Sequence, residues 1–347
     1  MTTPQPLLMD CDTGVDDALA LLYLALSPDV DLRAVTTVGG NTAARQAAVN
    51  TLQVLELVGR TDIPVAAGAD RTLNGSLPHY ATHVHGDNGI GNVQLPAPTA
   101  PVADTDAVDL IIETARQADG ALSLLATAPL TNLALALRRE PRLPELVRHL
   151  TVMGGAVHHP GNITPLAEAN IGNDPEAAAL VLAADWDLTI VPLDVTMREN
   201  LTTATQRDLL AHGSPACVFA ARALDVYFDF HEEVALPFRG SACHDPLAAA
   251  IAAGHVVPRL APRLHVDVET GDGPARGALV ADTRALYLSY PERADANARV
   301  VLETDGRFPG RLVERLRTST PAADTASDSA SPAMSTRTTR TNGGTAA

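Results

Sequence analysis

Between the apolar run Pro6-Leu7-Leu8-Met9 and the helical run Ala18-Leu19-Ala20-Leu21-Leu22 stand Asp10-Cys11-Asp12-Thr13-Gly14-Val15-Asp16-Asp17, four carboxylates in a single turn. Like charges packed so closely are unfavourable unless something neutralises them. A hard divalent cation, ligated by oxygens, suits such a cluster. The place matters as much as the charge. The end of a strand feeding a helix is where open α/β sheets put their ligands, so this turn constrains fold and site together.

The rest of the chain alternates apolar runs with helix-period segments, the pattern of a largely parallel sheet with crossover helices. Strands are expected at residues 32–38, 121–126, 150–153 and 188–193, and helices at 42–58, 130–137, 175–184, 214–231 and 247–253. Asn173-Asp174-Pro175 announces its helix with a cap and a first-turn proline. Residues 81–101, polar and rich in Gly, Pro and His, read as a loop over the sheet edge. Runs at 264–269, 277–281 and 298–302 read as late strands, with an antiparallel arrangement open to them, and 306–317 closes the ordered part. The segment 318–347 has no aromatic or branched aliphatic residue. It buries too little to offset its ordering entropy, so a disordered tail is expected behind a single domain at 1–317.

Composition removes several functions. A formal charge of −16 argues against nucleic acid as a partner, which needs a basic footprint. All 25 basic residues are arginine, so a Schiff-base lysine, a P-loop lysine and a lysine general base are excluded together. Cys11, Cys217 and Cys243 are too scattered for a disulfide framework or a zinc ribbon. No stretch approaches the roughly 18 apolar residues of a membrane span, and no signal-peptide pattern opens the chain. A soluble cytoplasmic protein without a membrane partner is the expectation.

Two families place aspartates in this way. A haloacid-dehalogenase-type phosphatase has two aspartates two apart followed by Gly-Thr. Here the order is Asp-Cys-Asp-Thr-Gly with two further acids, and that fold's later lysine is absent. The other pattern, Asp-x-Asp-x-Gly-x-Asp-Asp, is supported along the chain. Gly39-Gly40-Asn41, His85-Gly86-Asp87-Asn88-Gly89-Ile90-Gly91 and Thr127-Ala128-Pro129-Leu130-Thr131-Asn132-Leu133-Ala134 follow in order. Met153-Gly154-Gly155, Gly161-Asn162, Ala167-Glu168-Ala169-Asn170, Asp174-Pro175-Glu176-Ala177-Ala178 and His244-Asp245-Pro246-Leu247-Ala248 complete the series. From about residue 7 to 317 the chain resembles the inosine-uridine nucleoside hydrolase family. It departs from the family pattern at Ala128, Ala169 and Ala275.

The resemblance implies a Rossmann-like α/β fold, a mostly parallel sheet flanked by helices. It implies hydrolysis of the N-glycosidic bond of ribonucleosides, purine or pyrimidine, to free base and ribose. It also implies bound Ca²⁺, with Asp12, Asp17, Asp245 and the Thr127 carbonyl as ligands and Asp16 as general base on water, with Asp10 behind them. Three carboxylates and a carbonyl leave room for water and a cis-diol in a shell of six to eight oxygens. Asn41, Met153, Asn162, Glu168 and Asn170 match residues that hold the ribose or order the metal shell. His244 matches a histidine that protonates the leaving base, and His85, Tyr227 and His231 are further candidates for base contacts. A homodimer or homotetramer is implied as well.

Plainer readings stand beside these. The acids could cap a helix, Asn41 could be a turn residue, and His244-Asp245-Pro246 could simply start a helix. His83 and His159 read as loop histidines, and Trp186 as a packing residue. Cys11 and Cys243 adjoin acids that disfavour a thiolate. A non-catalytic nucleoside- or sugar-binding relative would have lost Asp16 or a metal ligand, and none is lost here. Hydrolysis of a modified nucleoside is the remaining alternative.

Overall fold

The computed structural model describes residues 3–320 other than 292. Its centre is an eight-stranded sheet. In chain order the strands are β1 (Gln5–Cys11), β2 (Val30–Thr37), β3 (Val65–Ala67), β4 (Leu122–Ala126), β5 (Val147–Met153), β6 (Leu188–Val191), β7 (Arg263–Leu264) and β8 (Ala298–Val300). They lie in the order β3-β2-β1-β4-β5-β6-β8-β7. Every pairing is parallel except β8 with β7 at the edge.

Alternation along β1 divides the core. Leu7, Met9 and Cys11 face one hydrophobic cluster and Leu8 the other. Both faces are covered, and the buried stretches of the strands are largely apolar, as expected of parallel strands. Helices Val15–Ala25, Ala44–Glu56, Pro215–Val234, His244–Ala252 and Phe308–Leu316 supply the first cluster. Ala107–Ala118, Thr131–Arg139 and Pro175–Leu182 supply the second. Trp186 packs in the second cluster and donates its indole N–H to the Val181 carbonyl at 2.9 Å, the packing role expected of it.

The chain runs from β1 outward through β2 and β3, then returns to place β4 on the other side of β1. The strand order therefore reverses between β1 and β4, and their carboxyl ends open a crevice there. The acidic turn follows β1 and Thr127 follows β4, so topology alone puts both at this crevice.

Several elements differ from expectation. β3 and the helices Ala107–Ala118 and Thr203–His212 were not foreseen. The late runs split: Val266–Val268 pairs antiparallel with Leu279–Ala281 outside the main sheet, while β8 joins it parallel to β6. The polar stretch at 81–101 contains the helix Thr82–His85. Ser319, inside the range expected as tail, is buried with its hydroxyl 2.7 Å from that of Ser214, and the range from 321 lies outside the described residues. Among the described residues no helix is long and apolar enough to cross a membrane.

Candidate active site

All four acids of the first turn are buried, and each is held differently. Asp10 turns back toward the sheet: its Oδ1 accepts from the Thr36 hydroxyl at 2.6 Å and the Asn132 amide at 2.8 Å. Its Oδ2 has no partner, and burial pushes the carboxyl up to about 7. Asp12 is gripped by Asn41, whose backbone N–H reaches Oδ2 at 2.6 Å and whose amide reaches Oδ1 at 2.9 Å. Asp17 accepts from the Gly14 N–H at 2.8 Å and the Thr127 hydroxyl at 2.7 Å. Asp16 accepts from the Tyr227 hydroxyl at 3.0 Å on Oδ2, while its Oδ1 is buried without a partner.

Two glycines permit this crowding. A Cβ on residue 14 would lie 2.6 Å from both Asn41 Nδ2 and His85 Nδ1, and one on residue 40 would overlap the Asp12 carboxylate. The glycines of the first two motifs are thus spacers for the acids around them.

The helix His244–Ala252 brings in Asp245. Oxygens of Asp16, Asp17 and Asp245 then lie within 4.8 Å of one another. Burial, followed by the charges of Asp16, Asp17 and Asp12, drives Asp245 well above the usual carboxylate range. Burial and then Asp17 do the same to Asp12, and burial and then Asp16 hold Asp17 up to about 6. Crowded hard oxygens, one of them orphaned, are what a divalent cation would relieve, so these residues fit one. The tightest triad includes Asp16, where the sequence pointed to Asp12. Asp12 adjoins Asp17 but has both oxygens on Asn41.

A cleft opens above the cluster. Asp16, Asn41, Thr127, Glu168, Asn170 and Asp245 line it, with Met153 and Asn162, whereas Asp12 and Asp17 lie beneath its wall. The Asn170 amide donates to the Thr127 and Met153 carbonyls, both at 3.1 Å, so the Thr127 oxygen points among these side chains. Glu168 caps the helix Ala169–Asn173 and accepts from the N–H groups of Asn170 and Gly155 at 2.9 and 2.8 Å. Burial pushes Glu168 up to about 7 despite these donors. The Asn162 carbonyl oxygen accepts from the Ala169 N–H at 2.9 Å, leaving its NH₂ group free of that bond.

The other end of the cleft is aromatic. His85 stacks on Tyr227 at 5.3 Å, His231 meets Tyr227 edge-on at 4.4 Å, and the His231 and His244 rings lie tilted to each other at 6.0 Å. His85 Nδ1 accepts the Val15 N–H at 3.1 Å, so its ring proton must sit on Nε2. That tautomer is neutral. The Asp16 oxygen 3.9 Å from the same Nδ1 is therefore a neighbour and not an ion-pair partner, in keeping with burial lowering His85 to about 4. His231 donates from Nδ1 to the Tyr227 carbonyl at 2.9 Å, which leaves Nε2 an acceptor, and burial lowers it too. His244 shares a 2.7 Å hydrogen bond with the Thr196 hydroxyl, and burial lowers it to about 4.

The structure brings every anticipated residue to this one place, lining the cleft or directly under it. His79, Tyr80, His83 and Phe230 also line it and were missed. His83 meets Phe230 edge-on at 5.6 Å, so it is a cleft residue and not a plain loop histidine. The aromatic density of His79-Tyr80-Ala81-Thr82-His83-Val84-His85, ahead of the glycine motif, was the available signal.

The site thus sets buried carboxylates at a switch point, with a cleft whose amides lie at one end and whose histidines and aromatic rings lie at the other. The chain belongs to the inosine-uridine preferring nucleoside hydrolase family, whose sequence profile matches residues 7–308. It is 35% identical over 315 residues to the pyrimidine-specific ribonucleoside hydrolase RihA of Escherichia coli O1:K1 / APEC, covering 90% of this chain and 98% of that one. The purine-preferring ribonucleoside hydrolase from Gardnerella vaginalis superposes with a TM-score of 0.83 at 30% identity, covering 90% of this chain and 98% of that chain. The plant nucleoside hydrolase PpNRh1 superposes with the same TM-score, 0.83, at 31% identity, covering 92% and 100%. The protein is accordingly an enzyme, a ribonucleoside hydrolase.

Proposed function

We propose that this enzyme is a Ca²⁺-dependent hydrolase of pyrimidine ribonucleosides, cleaving the N-glycosidic bond to free base and ribose. The observation that carries this reading is the Asp16–Asp17–Asp245 oxygen cluster, two of whose members line the cleft. An all-oxygen donor set of this kind favours Ca²⁺ over softer metals. The pyrimidine preference draws support from the likeness to a pyrimidine-specific relative. Three buried, unpaired cysteines support a reducing compartment, the cytoplasm.

Asp12, Asp17, Asp245 and the Thr127 carbonyl are the proposed cation ligands. A Ca²⁺ held there would supply Lewis-acid activation of water and affinity for sugar hydroxyls. Asn41, Asn162, Glu168 and Asn170 orient the ribose, since amides and carboxylates pair with hydroxyls that both donate and accept. Asp16 lines the cleft and has one oxygen without a protein partner, which supports it as the acceptor of the water's proton. Tyr227 fixes the other oxygen and so the plane of the carboxylate. Cleavage passes through an oxocarbenium-like state, and the negative charge beneath the cleft stabilises that state more than the substrate.

At the far end the base departs with growing negative charge. His244, lowered by burial to about 4, is neutral at pH 7. It acts there as an N–H donor to the base and not as an imidazolium acid. His85, with its proton on Nε2, has the same capacity. Neutral donors suit the carbonyl oxygens of a departing uracil or cytosine.

Chromatography of free base released from uridine, cytidine, inosine, adenosine and guanosine tests this. Turnover of the two pyrimidine nucleosides at least tenfold above the purines in kcat/KM is expected. A purine preference would overturn the base assignment, and release from none would overturn the substrate class.

A further inference from the structure

Residues 68–81, between β3 and the helix Thr82–His85, carry His79, Tyr80 and Ala81 into the cleft wall. The segment contains neither helix nor strand, so its course depends on what it is tied to. Two of its amides are held by side chains adjacent in sequence, those of Asp174 and Asn173. Leu73 N–H donates to Asp174 Oδ2 at 2.7 Å, and His79 N–H donates to Asn173 Oδ1 at 2.9 Å.

Asp174 is fully buried and serves three elements at once. The oxygen that holds Leu73 also accepts from the Thr131 hydroxyl at 2.7 Å, and the other caps its own helix through the Ala177 N–H at 3.1 Å. Thr131 opens the helix just after Thr127, and Asp174 directly follows the helix that carries Asn170. One carboxylate therefore ties the segment to the helix that follows Thr127 and to the chain just after Asn170. The line continues at the segment's end, where Ala81 N–H donates to the Asn41 carbonyl at 3.1 Å. Asn41 in turn grips Asp12.

We propose that Asp174 is a positioning residue: a clamp that sets segment 68–81 as the wall of the cleft and, through Ala81, steadies Asn41. The inference rests on the cleft being the nucleoside site. It gives a function to Thr131 and Asp174, two motif residues that the reaction itself does not use. Releasing the clamp lowers the fraction of molecules whose wall is in place. Apparent affinity falls by that fraction, while chemistry on bound substrate continues.

The test uses Asp174→Asn and Thr131→Val in the full chain. Steady-state kinetics on uridine with Ca²⁺ are combined with hydrogen exchange over peptides spanning 68–81 and the strands β1 and β4. For Asp174→Asn, KM should rise about tenfold with kcat within about threefold, and exchange should quicken in 68–81 alone. Thr131→Val should act in the same direction, about threefold in KM. Unchanged exchange in 68–81, or a lost kcat at constant KM, would overturn the clamp. If Asp174→Asn does not fold, Thr131→Val is judged by the same criteria. Were the wild type to hydrolyse no nucleoside, the substrate proposal would fail and the exchange data would still decide the clamp.

Discussion

Tyr227 donates its hydroxyl to Asp16 Oδ2 across 3.0 Å, joining residues 211 positions apart. The bond links the first turn of the chain to the middle of the long helix Pro215–Val234. It leaves Asp16 Oδ1 as the orphaned oxygen of the pair.

Removing that donor should slow the chemistry without disturbing the fold. In Tyr227→Phe, kcat should drop about tenfold, the size of one hydrogen bond to a charged group, with the melting temperature within a few degrees of wild type. A kcat equal to wild type would mean the phenol does not orient Asp16.

The separate roles proposed for Asp12 and Asp16 are read apart by paired substitutions. Asp16→Asn should lower kcat by about a thousandfold or more while calcium affinity, measured by calorimetry, falls less than tenfold. Asp12→Asn should chiefly weaken calcium binding. The reverse pattern would assign the proton to Asp12 and make Asp16, already in the tightest oxygen triad, the ligand.

Protons would compete with the proposed cation for the same carboxylates. Burial raises Asp12 and Asp245 well above the carboxylate range and Asp17 to about 6, so the metal-free cluster holds protons that a cation must displace. Calcium affinity should therefore strengthen as pH rises from 5 to 8, with proton release measurable as a buffer-dependent enthalpy. The histidines act on stability with their own sign. His85 and His244, lowered to about 4, bind fewer protons folded than unfolded between about pH 4 and 6.5. Their contribution is complete above that window and is lost as pH falls through it. Asp10 and Glu168, raised to about 7, work in the opposite direction: folding takes up protons, and their contribution fades as pH climbs toward 7. A calcium affinity independent of pH would contradict the account of the cluster.

The sheet was legible where strands buried on both faces form nearly continuous apolar runs, as at 121–126 and 188–193. β3 was not legible, because three residues, Val65–Ala67, are too few to show a period. Ala107–Ala118 follows a proline-rich stretch that hid its start, although Asp106 caps it through the Val108 N–H. The acids and amides of the site were legible because their motifs pair unusual residue types with required glycines. The aromatic end was only partly so. His83 and Phe230 meet across a fold that brings 82–85 against the helix Pro215–Val234, and no local pattern in either segment records that contact. Nor did spacing reveal that Tyr227 is tied to Asp16; the helix periodicity told only that Tyr227 and His231 share a face.

On the proposed mechanism, a cation held by the buried aspartates makes this cleft hydrolytic. Ribose release from uridine, followed by a reducing-sugar assay on protein stripped by exhaustive chelation and then titrated with Ca²⁺, tests it directly. Loss of at least nine-tenths of the activity on stripping, restored saturably by Ca²⁺, is the predicted result. Undiminished ribose release by the stripped enzyme would contradict it.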